Sequence, residues 1–233
     1  MSEQVTFTRR GLVQGAVKML PIALVDVPFA IVLGVLARQA GLSTLEIMLM
    51  SMLVFAGASQ LIAVGLWASP VPVLTIVLTT LIVNVRHLLM GAALRPWFSR
   101  LGPLKTYASA HFITDESWAL AMREFKNGGR DAAFLLGGGL ALFVLWVGGT
   151  GIGHLLGAGI SAQDLITWGL DFVVTAVFVA LAVSLWRGKA DLLPWIVAAG
   201  VSFGAYLLLP GTRWYILLGG LAGSILGAFR NAD

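Results

Sequence analysis

Charged side chains are scarce in this sequence of 233 residues, of which only 11% are Asp, Glu, Lys or Arg. A soluble domain carries about 25% charged residues, so this chain lacks the charge to cover a globular surface, which excludes a water-soluble enzyme. Cysteine is absent altogether, which excludes disulfides and thiolate metal sites. The net charge of +4 is the ordinary excess of Lys and Arg in cytoplasmic loops, so we expect no nucleic-acid partner.

Apolar residues are abundant instead: 58% of the chain is hydrophobic, and its mean hydropathy is +0.92. A helix needs about 20 apolar residues to cross a bilayer. The stretches without any Asp, Glu, Lys or Arg are 47–85, 132–163, 172–186, 192–212 and 214–229. This pattern predicts an all-α fold, a polytopic helical bundle in a lipid bilayer.

Eight apolar segments are predicted within one membrane transport domain, 1–233, which begins with a short polar tail at about 1–10. They are 19–37, 45–66, 72–93, 107–122, 133–157, 165–186, 192–209 and 213–229. Segment 107–122 is short and contains Asp115 and Glu116, so it either crosses the membrane or only dips into it. We therefore expect seven or eight segments, some of them broken or re-entrant.

Loop charges indicate the side of the C-terminus but not that of the N-terminus. If 107–122 crosses and the N-terminus is inside, nine Lys or Arg lie inside and five outside; if it is re-entrant and the N-terminus is outside, the division is ten to four. Both arrangements place the C-terminus in the cytoplasm. A faint internal echo, in which Asp26 and Asp171 each precede a similar apolar run, indicates a weak inverted repeat, as in many transporters.

Asp26 lies in the middle of the first segment, where an ionisable side chain is costly and points to function. Two residues later, Pro28 cannot donate to the carbonyl of Leu24. The carboxylate and the freed carbonyl suit a cation or an ammonium group. The structural alternative is a packing ion pair of Asp26 with Arg86 or Lys18.

The second polar motif is Phe55-Ala-Gly57-Ala-Ser59-Gln60 in the second segment. Its small residues allow close backbone approach, and Ser59 and Gln60 offer hydrogen bonds to a ligand. The alternative is a small-residue helix contact with Gln60 bonded across it.

The third motif, Asn84-Val-Arg86-His87, is the densest polar cluster in the chain. Thr80, Asn84 and His87 stand at i, i+4 and i+7, so they share one helix face. Arg86 has an alternative role, because its long side chain reaches toward the membrane surface. The short side chain of Asn84 cannot reach the membrane surface in this way.

The fourth motif, Thr114-Asp115-Glu116-Ser117, reads as an N-cap followed by two acids in the first helical turn. It is either a well-capped surface helix or a half-helix that points titratable carboxylates into a cavity. Two glycine series at every fourth residue predict close helix packing; they are Gly149, Gly153 and Gly157, and Gly219, Gly223 and Gly227. His111 and His154 are expected near span ends, at the membrane interface.

Together these motifs resemble the AzlC family, the large subunit of branched-chain amino acid exporters. The resemblance covers most of the chain and is densest from Leu20 to Leu120. It is carried by Leu20-Pro21, Asp26-Val-Pro28-Phe29, Ser51, Phe55-Ala-Gly57-Ala-Ser59-Gln60, Asn84-Val-Arg86-His87, Thr114-Asp115-Glu116 and Leu170-Asp171-Phe172. Ala30 departs from the glycine expected after Phe29, which puts substrate identity in doubt more than the fold.

The resemblance implies export of leucine, isoleucine and valine from the bacterial cytoplasm, across the cytoplasmic membrane. It also implies a small membrane subunit of the AzlD type, and no cofactor or metal. A zwitterionic substrate needs a cation for its carboxylate, which Arg86 supplies, and an anion or carbonyl for its ammonium, which Asp26 and Pro28 supply. Phe29 and Phe55 then line an apolar pocket, Gly57 allows close approach, and the hydrogen-bonding side chains orient the backbone groups; these are Ser59, Gln60 and Asn84.

Proton exchange is the expected energy source, through Asp26, His87, Asp115 or Glu116. No phosphate-binding loop with GK[ST] occurs, so the sequence gives no sign of ATP use.

Two other function classes fit parts of the sequence. Gly57-Ala-Ser59 with a downstream His154 resembles a rhomboid-type intramembrane serine protease, yet Gln60 stands where that motif has a second glycine. A channel predicts repeated polar rings, and a purely structural subunit predicts no intramembrane charges. A further alternative is an exporter of another apolar amino acid, such as methionine.

Overall fold

The computed structural model describes residues 5–160, 188–209 and 214–230, together with positions 164, 167, 169, 179 and 183. Among these residues the only β-type pairing is an isolated bridge between Thr6 and Asp131. The helices are α1 (Arg9–Gln39), α2 (Thr44–Leu53), α3 (Gly57–Leu66), α4 (Val73–Phe98), α5 (Pro103–His111), α6 (Asp115–Lys126), α7 (Ala133–Leu156), α8 (Leu192–Leu208) and α9 (Trp214–Arg230). The Leu170-Asp171-Phe172 motif, and with it the echo of Asp26 at Asp171, lies outside the described residues.

Four helical stretches are long and apolar enough to cross a bilayer, within the part of the chain that the structure describes. They are Arg9–Gln39, Val73–Phe98, Ala133–Gly159 and Lys189–Leu208. Their length and composition confirm the predicted all-α bundle of membrane helices. The first of them begins ten residues earlier than the predicted segment 19–37, because Thr8 caps α1 by accepting a hydrogen bond from the Gly11 amide.

The centre of the bundle is a parallel pair of long helices, α1 and α7. Near their starts Gly15 packs on the carbonyl of Phe134, and near their ends Gly153 packs on the carbonyl of Ile31. A Cβ at either glycine would collide with the facing backbone. The contact of the first glycine series with α1 confirms the packing role predicted for it, and both helices cross the membrane in the same direction.

The second predicted segment, 45–66, does not cross the membrane. Ser43 and Glu46 form a capping box that starts α2, and the chain turns back after Leu53 so that α3 returns alongside. Leu61 and Val64 of α3 pack with Leu33 of α1 and Ile47 of α2 in one apolar cluster, so the two ends of this hairpin lie at the same end of α1. Each helix has 10 residues, or about 15 Å, half of the bilayer core of about 30 Å.

Segment 107–122 is likewise a re-entrant hairpin, formed by α5 and α6. Lys105 near its start lies over the ring of Phe7, while Glu124 near its end accepts a hydrogen bond from Lys18 at 2.7 Å. Both ends therefore lie beside the N-terminal end of α1. Of the two predictions for this segment, the one in which it only dips into the membrane agrees with the structure.

The two hairpins enter from opposite sides and meet at their tips. The C-terminal end of α4 joins the apolar cluster at the start of α1 and α7, through Leu94 and Phe98 packed with Ala132 and Phe134. Helix α4 thus runs antiparallel to α7. Each hairpin is followed by a crossing helix, α2–α3 by α4 and α5–α6 by α7, and the second unit is inverted relative to the first. This inversion does not involve the Asp26 and Asp171 echo.

Helices α8 and α9 form a separate pair that reaches the rest of the bundle through α4. Gly219 and Gly223 of α9 face Ala198 of α8, where a Cβ on Gly223 would lie 2.8 Å from the Ala198 Cβ. A Cβ on Gly227 would lie farther from its neighbour, 3.9 Å from Pro194. The second glycine series therefore has the predicted packing role. Gly220 faces Ile82 of α4.

Candidate functional site

Two helix N-termini point at the middle of α4 from opposite sides. Ser59, in the first turn of α3, donates its hydroxyl to Oδ1 of Asn84 at 2.6 Å. Asp115, the first residue of α6, pairs with Arg86 at 3.0 Å between Oδ2 and Nη2. Because the first amides of a helix lack intrahelical partners and carry partial positive charge, both tips favour a bound anion.

The charged groups at this centre are not all matched. Nε of Arg86 is buried and has no hydrogen-bond partner, so the guanidinium keeps a donor free beside its bond to Asp115. Asp26 on α1 and Glu116 in the first turn of α6 lie close enough for their like charges to interact unfavourably. The predicted ion pair of Asp26 with Arg86 or Lys18 does not form, because Arg86 pairs with Asp115 and Lys18 pairs with Glu124.

Gln60 supports the first tip from inside. Its side chain is fully buried; Nε2 donates to the hydroxyl of Ser51 at 2.8 Å, and Oε1 accepts from Nε1 of Trp146 at 2.9 Å. Gly57 faces the same indole: a Cβ on Gly57 would lie 2.8 Å from the ring of Trp146. These contacts match the alternative of a small-residue packing site with Gln60 bonded across it, and they fix the α2–α3 turn against α7.

The other predicted site residues are exposed, make local contacts or are buried in an apolar cluster. Pro28 does not break α1, which is continuous through it, and Pro28 and Phe29 are exposed on its surface. The imidazole of His87 contacts the backbone of its own helix, with Nδ1 3.2 Å from the carbonyl of Asn84. In contrast, Phe55 is buried in a cluster with Met19, Ala23 and Leu142.

Four residues at the site escaped prediction from the sequence. Phe112, Phe143 and Trp146 are ordinary apolar residues of a hydrophobic chain, so only their contacts distinguish them. His111, which was expected near the end of a span, is the last residue of α5 and lies at the tip of the second hairpin, with Nε2 3.0 Å from the carbonyl of Met52. The polar motif that follows, Thr114-Asp115-Glu116-Ser117, was the signal in the sequence that marked this part of the site.

The serine and histidine of the protease alternative are not assembled. Ser59 is bonded to Asn84, whereas neither ring nitrogen of His154 has a hydrogen-bond partner. His154 lies eight residues beyond Trp146, the α7 residue level with Gln60, which is about 12 Å along the helix axis. The buried His154 packs against Gly34 of α1.

The chain matches known membrane proteins over most of its length. The family model described as AzlC protein matches residues 21–160. A membrane protein of Archaeoglobus fulgidus, described as uncharacterized, is 32% identical over 93% of this chain and 94% of its own length. The inner membrane protein YgaZ of Escherichia coli is 29% identical, over 83% and 81%. The branched-chain amino acid transport protein AzlC of Bacillus subtilis is 26% identical, over 78% and 71%. No solved structure matches the chain.

Proposed function

The chain belongs to the AzlC family, and we propose that it is a membrane permease subunit that exports leucine, isoleucine and valine. It forms one transport domain in the cytoplasmic membrane and works with a small AzlD-type subunit. The family membership and the name of the Bacillus subtilis relative, a branched-chain amino acid transport protein, support a role in branched-chain amino acid transport.

The proposed function rests mainly on one observation, the buried Nε of Arg86 that has no hydrogen-bond partner. A buried guanidinium donor needs an acceptor, and a substrate carboxylate supplies one where two helix N-termini already favour an anion. The opposing carboxylates of Asp26 and Glu116 supply the partner for the substrate ammonium. The site thus presents both charges that an amino acid backbone requires.

The proton coupling that we propose uses the acidic groups of this site. An ammonium group bound between Asp26 and Glu116 relieves their mutual repulsion, and so does a proton on either carboxylate. Substrate and proton therefore compete for the same pair, which is the requirement of an exporter driven by an inward proton gradient. Asp115, which pairs with Arg86, and His87 on α4 are the other two candidate proton carriers.

The re-entrant hairpins support a cytoplasmic N-terminus. Nine Lys and Arg lie on the side of the bundle where α1 begins; they are Arg9, Arg10, Lys18, Arg95, Arg100, Lys105, Arg123, Lys126 and Arg130. At the opposite side, residues 5–160 contribute only Arg38. Cytoplasmic loops carry the excess of positive residues, so the start of α1 faces the cytoplasm.

Efflux of labelled leucine from preloaded vesicles tests this function. The chain is expressed with and without its AzlD-type partner, and valine, isoleucine, methionine and alanine are run in parallel. We expect efflux of the branched-chain substrates that needs the partner and slows when an ionophore collapses the proton gradient. Efflux of methionine alone would overturn the substrate, and efflux that ignores the ionophore would overturn the coupling.

A further inference from the structure

An aromatic cluster joins the tips of the two hairpins in the middle of the bundle. Phe55 of the first tip meets Phe143 of α7 edge to face, with ring centroids 5.1 Å apart. Phe112 of the second tip meets the same ring at 5.3 Å, and Phe55 and Phe112 are 6.4 Å apart. Three rings from three elements therefore surround the point where the hairpins touch.

This cluster adjoins the polar centre along both hairpins. Phe55 comes two residues before the start of α3, and Phe112 comes three residues before Asp115. An amino acid held at Arg86 by its carboxylate thus has ring surfaces within reach of its side chain. We propose that Phe55, Phe112 and Phe143 bind the apolar side chain of the transported amino acid and that His111 positions the two tips around it. This inference rests on the proposed export function.

His111 links the hairpins by a single hydrogen bond. The carbonyl of Met52 lies in the last turn of α2, where the turn of the chain removes its helical partner, and Nε2 of His111 donates to it at 3.0 Å. The imidazole also meets the rings of Phe112 and Phe143, with ring centroids 5.0 and 6.2 Å apart. Separation of the tips breaks this bond, so His111 holds the aromatic surfaces at a set spacing.

The first tip is held in a conformation that few side chains adopt. Phe55 has a φ of 26°, in the left-handed region where a Cβ is costly. Its side chain is nevertheless only 4% exposed, because the ring is packed against α7 and the second tip. The packing of one aromatic side chain therefore maintains the turn that starts α3, which couples the side-chain subsite to the anion-binding tip.

Substrate selectivity tests the subsite. Efflux of leucine, valine, methionine, phenylalanine and alanine is measured for wild type, F143A, F143L and the control F203A, which removes an exposed ring of α8. Wider space at position 143 is expected to raise the rate of phenylalanine relative to leucine by about tenfold, since added apolar contact discriminates by such factors. F143L gives a smaller change, and F203A gives none.

The outcomes separate this inference from the function on which it rests. If wild type exports leucine and the F143A and F143L variants keep its selectivity, the subsite is overturned while the export function stands. If wild type moves none of the amino acids, the export function fails and the subsite fails with it. A variant that folds poorly is replaced by F143C in this cysteine-free chain, where leucine must slow labelling by N-ethylmaleimide; labelling that leucine leaves unchanged overturns the subsite.

His111 is tested by the pair H111A and H111Q, because glutamine retains a donor for the Met52 carbonyl. H111A is expected to reduce the discrimination between leucine and alanine by about tenfold, and H111Q to restore most of it. A purely structural role would lower the amount of folded protein and leave the selectivity of the remainder unchanged. That result, with equal selectivity in H111A and wild type, would overturn the positioning role.

Discussion

Nη2 of Arg86 lies 3.0 Å from Oδ2 of Asp115, which joins the middle of a crossing helix to the first residue of a re-entrant one. The side chains are 20% and 33% exposed, so the pair is largely withdrawn from solvent. Removal of one partner from such a pair leaves the other charge without compensation. Stability and function must therefore be separated when either residue is changed.

Substitution of Arg86 by alanine is expected to reduce leucine efflux by more than about tenfold, because the carboxylate of the bound leucine loses its hydrogen-bond donor. The double variant R86A/D115N removes the stranded charge, so it should recover folded protein without recovering transport. Efflux and the size-exclusion profile are measured for both. R95A, which removes an exposed arginine of the same helix, serves as control. Normal transport by R86A would contradict the assignment of Arg86 to the carboxylate.

The re-entrant hairpins predict which positions share a side of the membrane. Single cysteines at Thr44 and Ala68 flank the first hairpin, and single cysteines at Arg100 and Asn127 flank the second; all four residues are exposed. A membrane-impermeant maleimide applied from the periplasm should label the first two and spare the last two. The absence of native cysteine means that no other residue reacts. Labelling of Thr44 and Ala68 from opposite sides would show that the first hairpin crosses the bilayer.

Gly153 and Gly148 form a matched pair for testing the contact of α1 with α7. A Cβ at Gly153 would collide with the carbonyl of Ile31, while a Cβ at Gly148 meets nothing within 4 Å. G153A should cost about 2 kcal/mol through overpacking, seen as a lower melting temperature in detergent. G148A should melt like wild type or slightly higher, since alanine favours the helix over glycine. Equal melting temperatures would argue against a close parallel contact.

Ser59→Ala distinguishes binding from catalysis at the first tip. Loss of the hydrogen bond to Asn84 should raise the KM for leucine by about fivefold, the effect of roughly 1 kcal/mol from one bond, while the maximal rate changes little. N84A, which removes the other partner, should give a similar KM. A serine protease would instead lose all activity with S59A, so retained efflux leaves the protease alternative without support.

Several parts of this arrangement were readable from the sequence because their causes are local. Thr114 was predicted as an N-cap from its position before two acids, and it caps α6 with Ser117. The glycine series predicted close helix contacts, since spacing alone puts these residues on one face. The motif residues Ser59, Asn84, Arg86 and Asp115 were singled out because polar groups are costly in an apolar segment.

Other parts depended on contacts between distant residues. Segment 45–66 has the composition of a crossing helix, and only the packing of Leu61 with Leu33 shows that the chain turns back. Asp26 was paired with Arg86 or Lys18 in one prediction, but a sequence does not state which charges meet. Pro28 and Phe29 were predicted as site residues from their motif, and only the structure shows that both lie on the exposed surface of α1.

The sequence by itself determined that this chain is a multi-pass helical membrane protein, because apolar length and scarce charge suffice to decide how a segment partitions between water and lipid. It also determined the family, through an ordered set of short motifs. Only the tertiary structure decided that two segments re-enter, that their tips meet at Arg86 and Asn84, and that His111 lies between them. Re-entry replaces lipid contact by contact with other helices, and that free energy depends on neighbours far along the chain.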